Sequence, residues 1–174
     1  MEQDYPLQGI RVLELGSRTI TPYIGKLFTD AGADVLKVES PEGDPFRTWS
    51  ASHATIPDGE DSAWWRFLNA GKRIATIDLE TREGHEAFLE LVAETDLVLD
   101  DHKPEDTERL NITPEELRAH NPAAVIASLT HFGTSGPWAN RPANDFTLQA
   151  LVGATENRGI PEEEPTACGG DLGD

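Results

Sequence analysis

Carboxylates dominate the side chains of this chain that could do chemistry. Asp and Glu number 32 against 14 Lys and Arg, a net charge of −18. Nucleophiles of other kinds are scarce. Cys168 is the one cysteine, lies among small residues with no activating base beside it, and suits a plain buried or loop thiol. A single cysteine also excludes an intrachain disulfide and a cysteine-cage zinc site. No G-x-S-x-G elbow is present. His53, His85, His102, His120 and His131 are scattered without an H-x-x-x-H pair. Asp100-Asp101-His102 has the donor types for a divalent ion, although a polar cluster at a strand end is the plainer reading, and no metal is expected. After the first strand, Gly16 to Thr21 supplies one glycine where a dinucleotide fingerprint needs three, and no G-x-x-x-x-G-K-[ST] loop occurs. Asp171 and Asp174 stand in a glycine-rich stretch whose backbone N–H groups can approach a substrate. A carboxylate placed there could attack a thioester; an ordinary turn is the alternative.

The elements that must position these groups alternate along the chain. Ile10 to Leu15 reads as a strand, Thr21-Pro22 as a helix N-cap and first helical residue, and Ile24, Leu27, Phe28 and Ala31 as a helix face closed by Gly32. Asp34 to Glu39 is a second strand, so the first thirty residues beyond Ile10 form a βαβ unit with parallel strands. Ser40 to Asp61 is a long Pro-, Gly- and Asp-rich loop, and Ala63 to Leu68 a short helical turn. Strands are expected at Arg73 to Leu79, Asp96 to Leu99 and Ala123 to Leu129. Helices are expected at Glu83 to Glu94, from the capping box Thr113-Pro-Glu-Glu116, and at Asp145 to Gly153. The fold class is α/β: an open, mostly parallel, Rossmann-like sheet with helices on both faces.

Composition narrows the partners. The excess of acid excludes a nucleic-acid binder and an anionic membrane surface. No apolar run approaches the ~20 residues of a membrane span, and no signal peptide opens the chain, so a soluble, cytoplasmic domain is expected. The last thirty residues hold seven acids against one base, with Glu162-Glu163-Glu164 reading as a solvated loop. The sequence stops at Gly169-Gly-Asp-Leu-Gly-Asp174, inside a loop signal, which points to the N-terminal part of a longer polypeptide.

Taken in order, these segments resemble the class III CoA-transferase family, which also contains formyl-CoA and carnitine CoA-transferases and the α-methylacyl-CoA racemases. The resemblance runs from Pro6-Leu-x-Gly9-Ile-Arg-Val-Leu13 through Pro22 and Ala31-Gly-Ala-Asp-Val-Leu-Lys-Val-Glu39 to Gly43-Asp-Pro45 and Arg47. It continues through Asn69-x-Gly71-Lys-Arg73, Asp78-Leu79, Glu83-Gly84, Pro104, Glu108-Arg-Leu110, Asn121-Pro122 and Ala127-Ser128. Phe132-Gly-x-x-Gly-Pro137, Arg141-Pro142, Asp145 and Gln149-Ala-Leu151 complete it.

The resemblance implies that residues 1–174 are the N-terminal, CoA-binding portion of an enzyme that moves coenzyme A from an acyl-CoA donor to a carboxylic acid acceptor. An aspartate would act through an acyl anhydride and an aspartyl–CoA thioester. Ungapped spacing places that nucleophile on Asp174, and a loop three residues shorter places it on Asp171. Arg109 matches an arginine that reaches the CoA phosphates. Ile77, Asp78, Leu79 and Glu80, with Asp101, His102 and Lys103, match strand-end CoA contacts. Ala143, Asn144 and Asp145 begin a substrate-side segment. CoA is thus a substrate, with no permanently bound cofactor.

The departures from the family pattern are specific. Ser40 stands where an arginine is common, Glu80 where a transferase lysine is common, and Asp101-His102 replaces an Asn-Phe pair. Asn144 takes the racemase histidine position and cannot serve as its acid/base. Family members are about twice as long and form interlocked dimers, so a homodimer or a partner subunit is expected. A non-catalytic partner subunit or pseudo-domain on the same fold is the alternative function, and a small α/β binding domain a more distant one.

Overall fold

The computed structural model describes residues 5–158, 160–169 and 172–173, and the chain divides into two units, residues 1–129 and 130–174. The first unit contains a five-stranded, all-parallel sheet. Its strands are β1 (Arg11–Leu15), β2 (Asp34–Glu39), β3 (Arg73–Thr76), β4 (Leu97–Asp100) and β5 (Val125–Ser128), in the order β3-β2-β1-β4-β5. The order reverses between β1 and β4, which in such sheets opens a crevice at the carboxyl ends of the strands.

Alternation along the strands divides the apolar residues between two faces. Leu13, Leu15, Val38 and Val98 pack with Phe88 and Val92 of α3 (Arg82–Ala93) and Leu117 of α5 (Pro114–His120). Val12, Val35 and Leu99 pack with Ile24 and Phe28 of α1 (Ile20–Asp30). Helices therefore cover both faces, as the βαβ reading requires. The α1 face is mixed: Glu14 and Lys37 share it with Val12 and Val35, two residues on along each strand.

Element starts follow local chemistry. Ser62 caps α2 (Ala63–Asn69) by accepting from Trp65 N–H at 3.0 Å. Thr81 caps α3 through Gly84 N–H at 3.0 Å, and Thr113 caps α5 through Glu116 N–H at 3.2 Å. Thr21 does not cap α1. The helix begins at Ile20, Thr21 is buried inside its first turn, and Pro22 is its third residue. A proline fits there because the first-turn N–H groups have no intrahelical acceptor. Gly32 closes α1 with φ +97°, and a Cβ on it would lie 2.2 Å from that of Tyr5.

Two short elements carry no sequence periodicity: α4 (Pro104–Arg109) and a 3-10 turn at Pro45–Arg47. The expected third strand stops at Thr76; Ile77 N–H still reaches Glu39 O at 2.8 Å, and the chain then turns as Glu80 N–H donates to the Asp78 carboxylate at 3.0 Å. The loop 40–61 is drawn in by Arg47, which pairs with Glu39 at 2.9 Å and Asp61 at 2.6 Å and lies over the Trp65 ring at 3.8 Å. No helix among the described residues is long and apolar enough to cross a membrane.

The second unit is built around α6 (Asp145–Leu151). Asn144 and Thr147 form its reciprocal capping box, each side chain meeting the other's backbone N–H at 2.9 Å.

Candidate functional site

A cleft of about 600 Å³ opens in the first unit at the carboxyl ends of the strands. Gly16 and Ser17 after β1, Ser40 and Gly43 after β2, Ile77 to Glu80 after β3, His102 after β4 and Arg109 at the end of α4 line it. The sheet thus brings together six of the eight expected CoA-contact residues: Ile77, Asp78, Leu79, Glu80, His102 and Arg109. Asp101 and Lys103 are not among the lining residues. Asp101 is buried and accepts from Arg18 N–H at 3.1 Å, fixing the chain that leaves β1. A Cβ on Gly16 would lie 2.4 Å from that carboxylate, so only glycine admits it there. Burial raises the Asp101 pKa despite the nearby Arg18 charge. Lys103 is exposed, 3.9 Å from Glu105.

His102 is fixed from below. Its Nδ1 meets Asp100 Oδ1 at 2.6 Å, and its backbone N–H donates to the same oxygen at 3.2 Å. Burial works against protonating the ring, but the hydrogen bond to Asp100 and the charges of Asp100, Asp101 and Asp106 outweigh it and raise its pKa above 6.5. Asp100 thus bonds His102, while Asp101 turns to the backbone after β1. No group of three or more His, Cys, Asp or Glu among the described residues converges as metal ligands do.

The floor of the cleft rests on a buried ionic network. Lys37 is 1% exposed; its ammonium donates to Gly16 O at 2.6 Å and Glu14 at 3.2 Å and is ion-paired with Asp44 at 2.9 Å. Lys72 reaches the other Glu14 oxygen at 2.7 Å and Pro22 O at 2.8 Å. Burial pulls the Lys72 ammonium down to about 8, against the pull of Glu14. Helix α1 covers this network with Gly25, where a Cβ would fall 1.8 Å from Glu14 Oε2.

None of Glu14, Lys37, Asp44 or Lys72 was singled out by chemistry in the sequence. Lys37, Asp44 and Lys72 lie within segments that carry the family resemblance, and Glu14 and Lys37 interrupt apolar strands, a pattern shared by any strand with one wet face.

Arg109 is held by two acids. It donates to Glu80 at 2.5 Å and to Asp106 at 3.1 Å, with about half of its side chain exposed.

In the second unit, Gln149 is 2% exposed and ties down Cys168. It accepts from Cys168 N–H at 3.0 Å and donates to Cys168 O at 2.9 Å. Its amide also meets Asp145 at 2.7 Å, while the other Asp145 oxygen accepts from Gly173 N–H at 2.6 Å. A Cβ on Gly173 would lie 2.7 Å from Asp145 O, so this residue too must be glycine. Of the expected substrate-side residues, Asn144 caps α6 and Asp145 anchors Gly173, each through its side chain. Asp171 and Asp174 lie outside the described residues.

Comparison with known proteins decides the lineage. The sequence pattern of CoA-transferase family III matches residues 7–174. The chain belongs to that family. Succinate–glutarate CoA-transferase of Agrobacterium fabrum is 36% identical over 167 residues, covering 94% of this chain and 42% of the relative. Succinyl-CoA:mesaconate CoA-transferase of Haloarcula hispanica is 36% identical over 175 residues, covering 97% and 43%. A solved structure, that of a CAIB/BAIF family protein from Brucella suis, superposes with a TM-score of 0.90 at 38% identity, covering 98% of this chain and 45% of that one. The chain therefore spans about two fifths of the curated family members it matches.

Proposed function

We propose that this chain is the CoA-holding part of a CoA-transferase that carries CoA from an acyl-CoA donor to a carboxylic acid. The observation that supports this most directly is the cleft at the switch point of the sheet, lined by the strand-end segments that the family resemblance assigns to CoA. An open parallel sheet binds its ligand in that place, and about 600 Å³ is an ordinary volume for a small-molecule or cofactor site.

The chemistry follows from a carboxylate nucleophile, Asp174 or alternatively Asp171. Its oxygen attacks the donor's thioester carbonyl and expels CoA thiolate, leaving a mixed anhydride. The thiolate attacks the aspartyl carbonyl of that anhydride, releasing the donor acid and forming an aspartyl–CoA thioester. The acceptor carboxylate attacks this thioester and again expels thiolate. The thiolate then takes the acceptor's acyl carbon, which regenerates the aspartate. No net proton transfer is needed, in keeping with a cleft that offers fixed charge more than acid/base groups. The hydrogen bonds that tie Cys168 to Gln149 and Gly173 to Asp145 support a held backbone at those two residues.

The test is the intact mass of the full-length protein after incubation with a panel of acyl-CoAs. A CoA-sized adduct removed by hydroxylamine and mapped to Asp174 or Asp171 is expected. CoA binding without an adduct would overturn the covalent role, and absence of both would overturn the transferase reading. A non-catalytic partner subunit is the second reading, favoured by the carboxylate that already occupies Arg109; a relative from Thauera aromatica carries the word "subunit" in its name.

A further inference from the structure

The charges around the cleft are unusual for a site that would take a ligand bearing several phosphates. Five acids line it (Glu39, Glu42, Asp44, Asp78 and Glu80) against two permanent cations, Lys37 and Arg109. Lys37 is 1% exposed, its ammonium enclosed by Gly16 O, Glu14 and Asp44 beneath the cleft. Arg109 is therefore the permanent cation of the lining whose guanidinium reaches solvent, and Glu80 and Asp106 each hold one of its terminal nitrogens. Asp106 is its neighbour on α4, whereas Glu80 approaches from the turn after β3.

We infer that Glu80 sets the affinity of the cleft for its anionic ligand, because its carboxylate neutralises Arg109 and competes with a phosphate for that guanidinium. This rests on the proposed CoA reading. The exchange is chemically even-handed: one charge-assisted pair is broken and one formed, and the freed carboxylate returns to water. Glu80 is about two-thirds exposed, so it can leave without disturbing a packed core. The displaced anion nevertheless stays near the bound phosphate, and that repulsion is what salt can screen. The screening length falls from ~10 Å at 0.1 M salt to ~3 Å at 1 M. Most phosphate-binding sites lose affinity with added salt; loss of the Glu80 repulsion offsets that trend here.

The experiment is calorimetric titration of CoA into the full-length protein and into Glu80→Gln, Arg109→Gln and the double variant, at 0.1 M and 1 M KCl. Glu80→Gln should bind CoA about two- to fivefold more tightly than the wild type at 0.1 M KCl, the range expected for relief of one exposed charge contact. The gain should shrink below about twofold at 1 M KCl. It should also vanish in the Arg109→Gln background, because the competition acts through that guanidinium. A Glu80→Gln protein that binds CoA no more tightly than wild type at 0.1 M KCl overturns the inference. So does a gain that persists without Arg109, which would make Glu80 a diffuse field. Absence of CoA binding in every variant overturns the CoA reading itself, with the inference that depends on it.

Discussion

Glu14 is the residue whose loss the fold should feel most sharply. It is fully buried, its two oxygens face Lys37 at 3.2 Å and Lys72 at 2.7 Å, and among the described residues Asp44, paired with Lys37, is the other carboxylate of this network. Glu14→Gln removes one of two balancing negative charges and leaves an uncompensated cation beneath α1. Breaking a buried ion pair from one side costs about 3–5 kcal/mol. At about 3 kcal/mol, local opening becomes on the order of a hundredfold more frequent, at 1.36 kcal/mol per decade. Hydrogen–deuterium exchange of peptides covering β1 and β2 reads that opening directly. The decisive comparison is Glu14→Met with Lys72→Met: the double variant removes one charge of each sign and leaves Lys37 paired with Asp44. It should exchange more slowly than either single variant. Equal exchange in Glu14→Gln and wild type would refute the network's role, and a double variant showing the sum of the single effects would refute the charge-balance argument.

Two further outcomes are expected. The His102 ring, identified by the signal lost in His102→Asn, should titrate above 6.5 by NMR and move downward in Asp100→Asn. The proton-linked stability it contributes is complete below pH 6.5 and fades as pH rises through its folded-state pKa; an unmoved titration would remove Asp100 as the cause. Gln149→Leu should leave the Cys168 N–H and C=O without their partner, at about 1–3 kcal/mol. Cleavage by limited proteolysis in the segment after α6 should then quicken about tenfold, and an unchanged rate would count against this anchoring role.

The parts of this fold that were legible in the sequence are those fixed locally. The apolar run of β2, the Phe88 and Val92 stripe of α3 and the Thr113 cap all announce themselves within a few residues. The six residues Pro104–Arg109 do not, because Pro-Glu-Asp-Thr-Glu-Arg has no apolar face and no side-chain N-cap, and it depends on packing around the buried Thr107 to be helical. The cleft was half legible. Strand-end positions followed from strand order, but the direction of each side chain did not: Asp101 faces the backbone after β1, while its neighbour His102 lines the cleft. Glu14 looks like an outward strand residue until α1 lays Gly25 over it, which is a long-range fact that no window of sequence contains.

The pairing of β1 with β2 gives the buried charges a role beyond their energy. Glu14 stands directly beside Lys37 in the parallel register, with Leu13 beside Leu36 and Leu15 beside Val38. A slip by one residue is already opposed by the hydrophobic pattern, since it moves a full strand of side chains to the wrong face. A slip by two keeps the faces and would set Glu14 beside Val35 or Glu39. The carboxylate and the ammonium thus act as a locating pin for the central strands. Charge reversal at both positions together preserves the alignment within this pair, whereas reversal at either one alone sets like charges side by side.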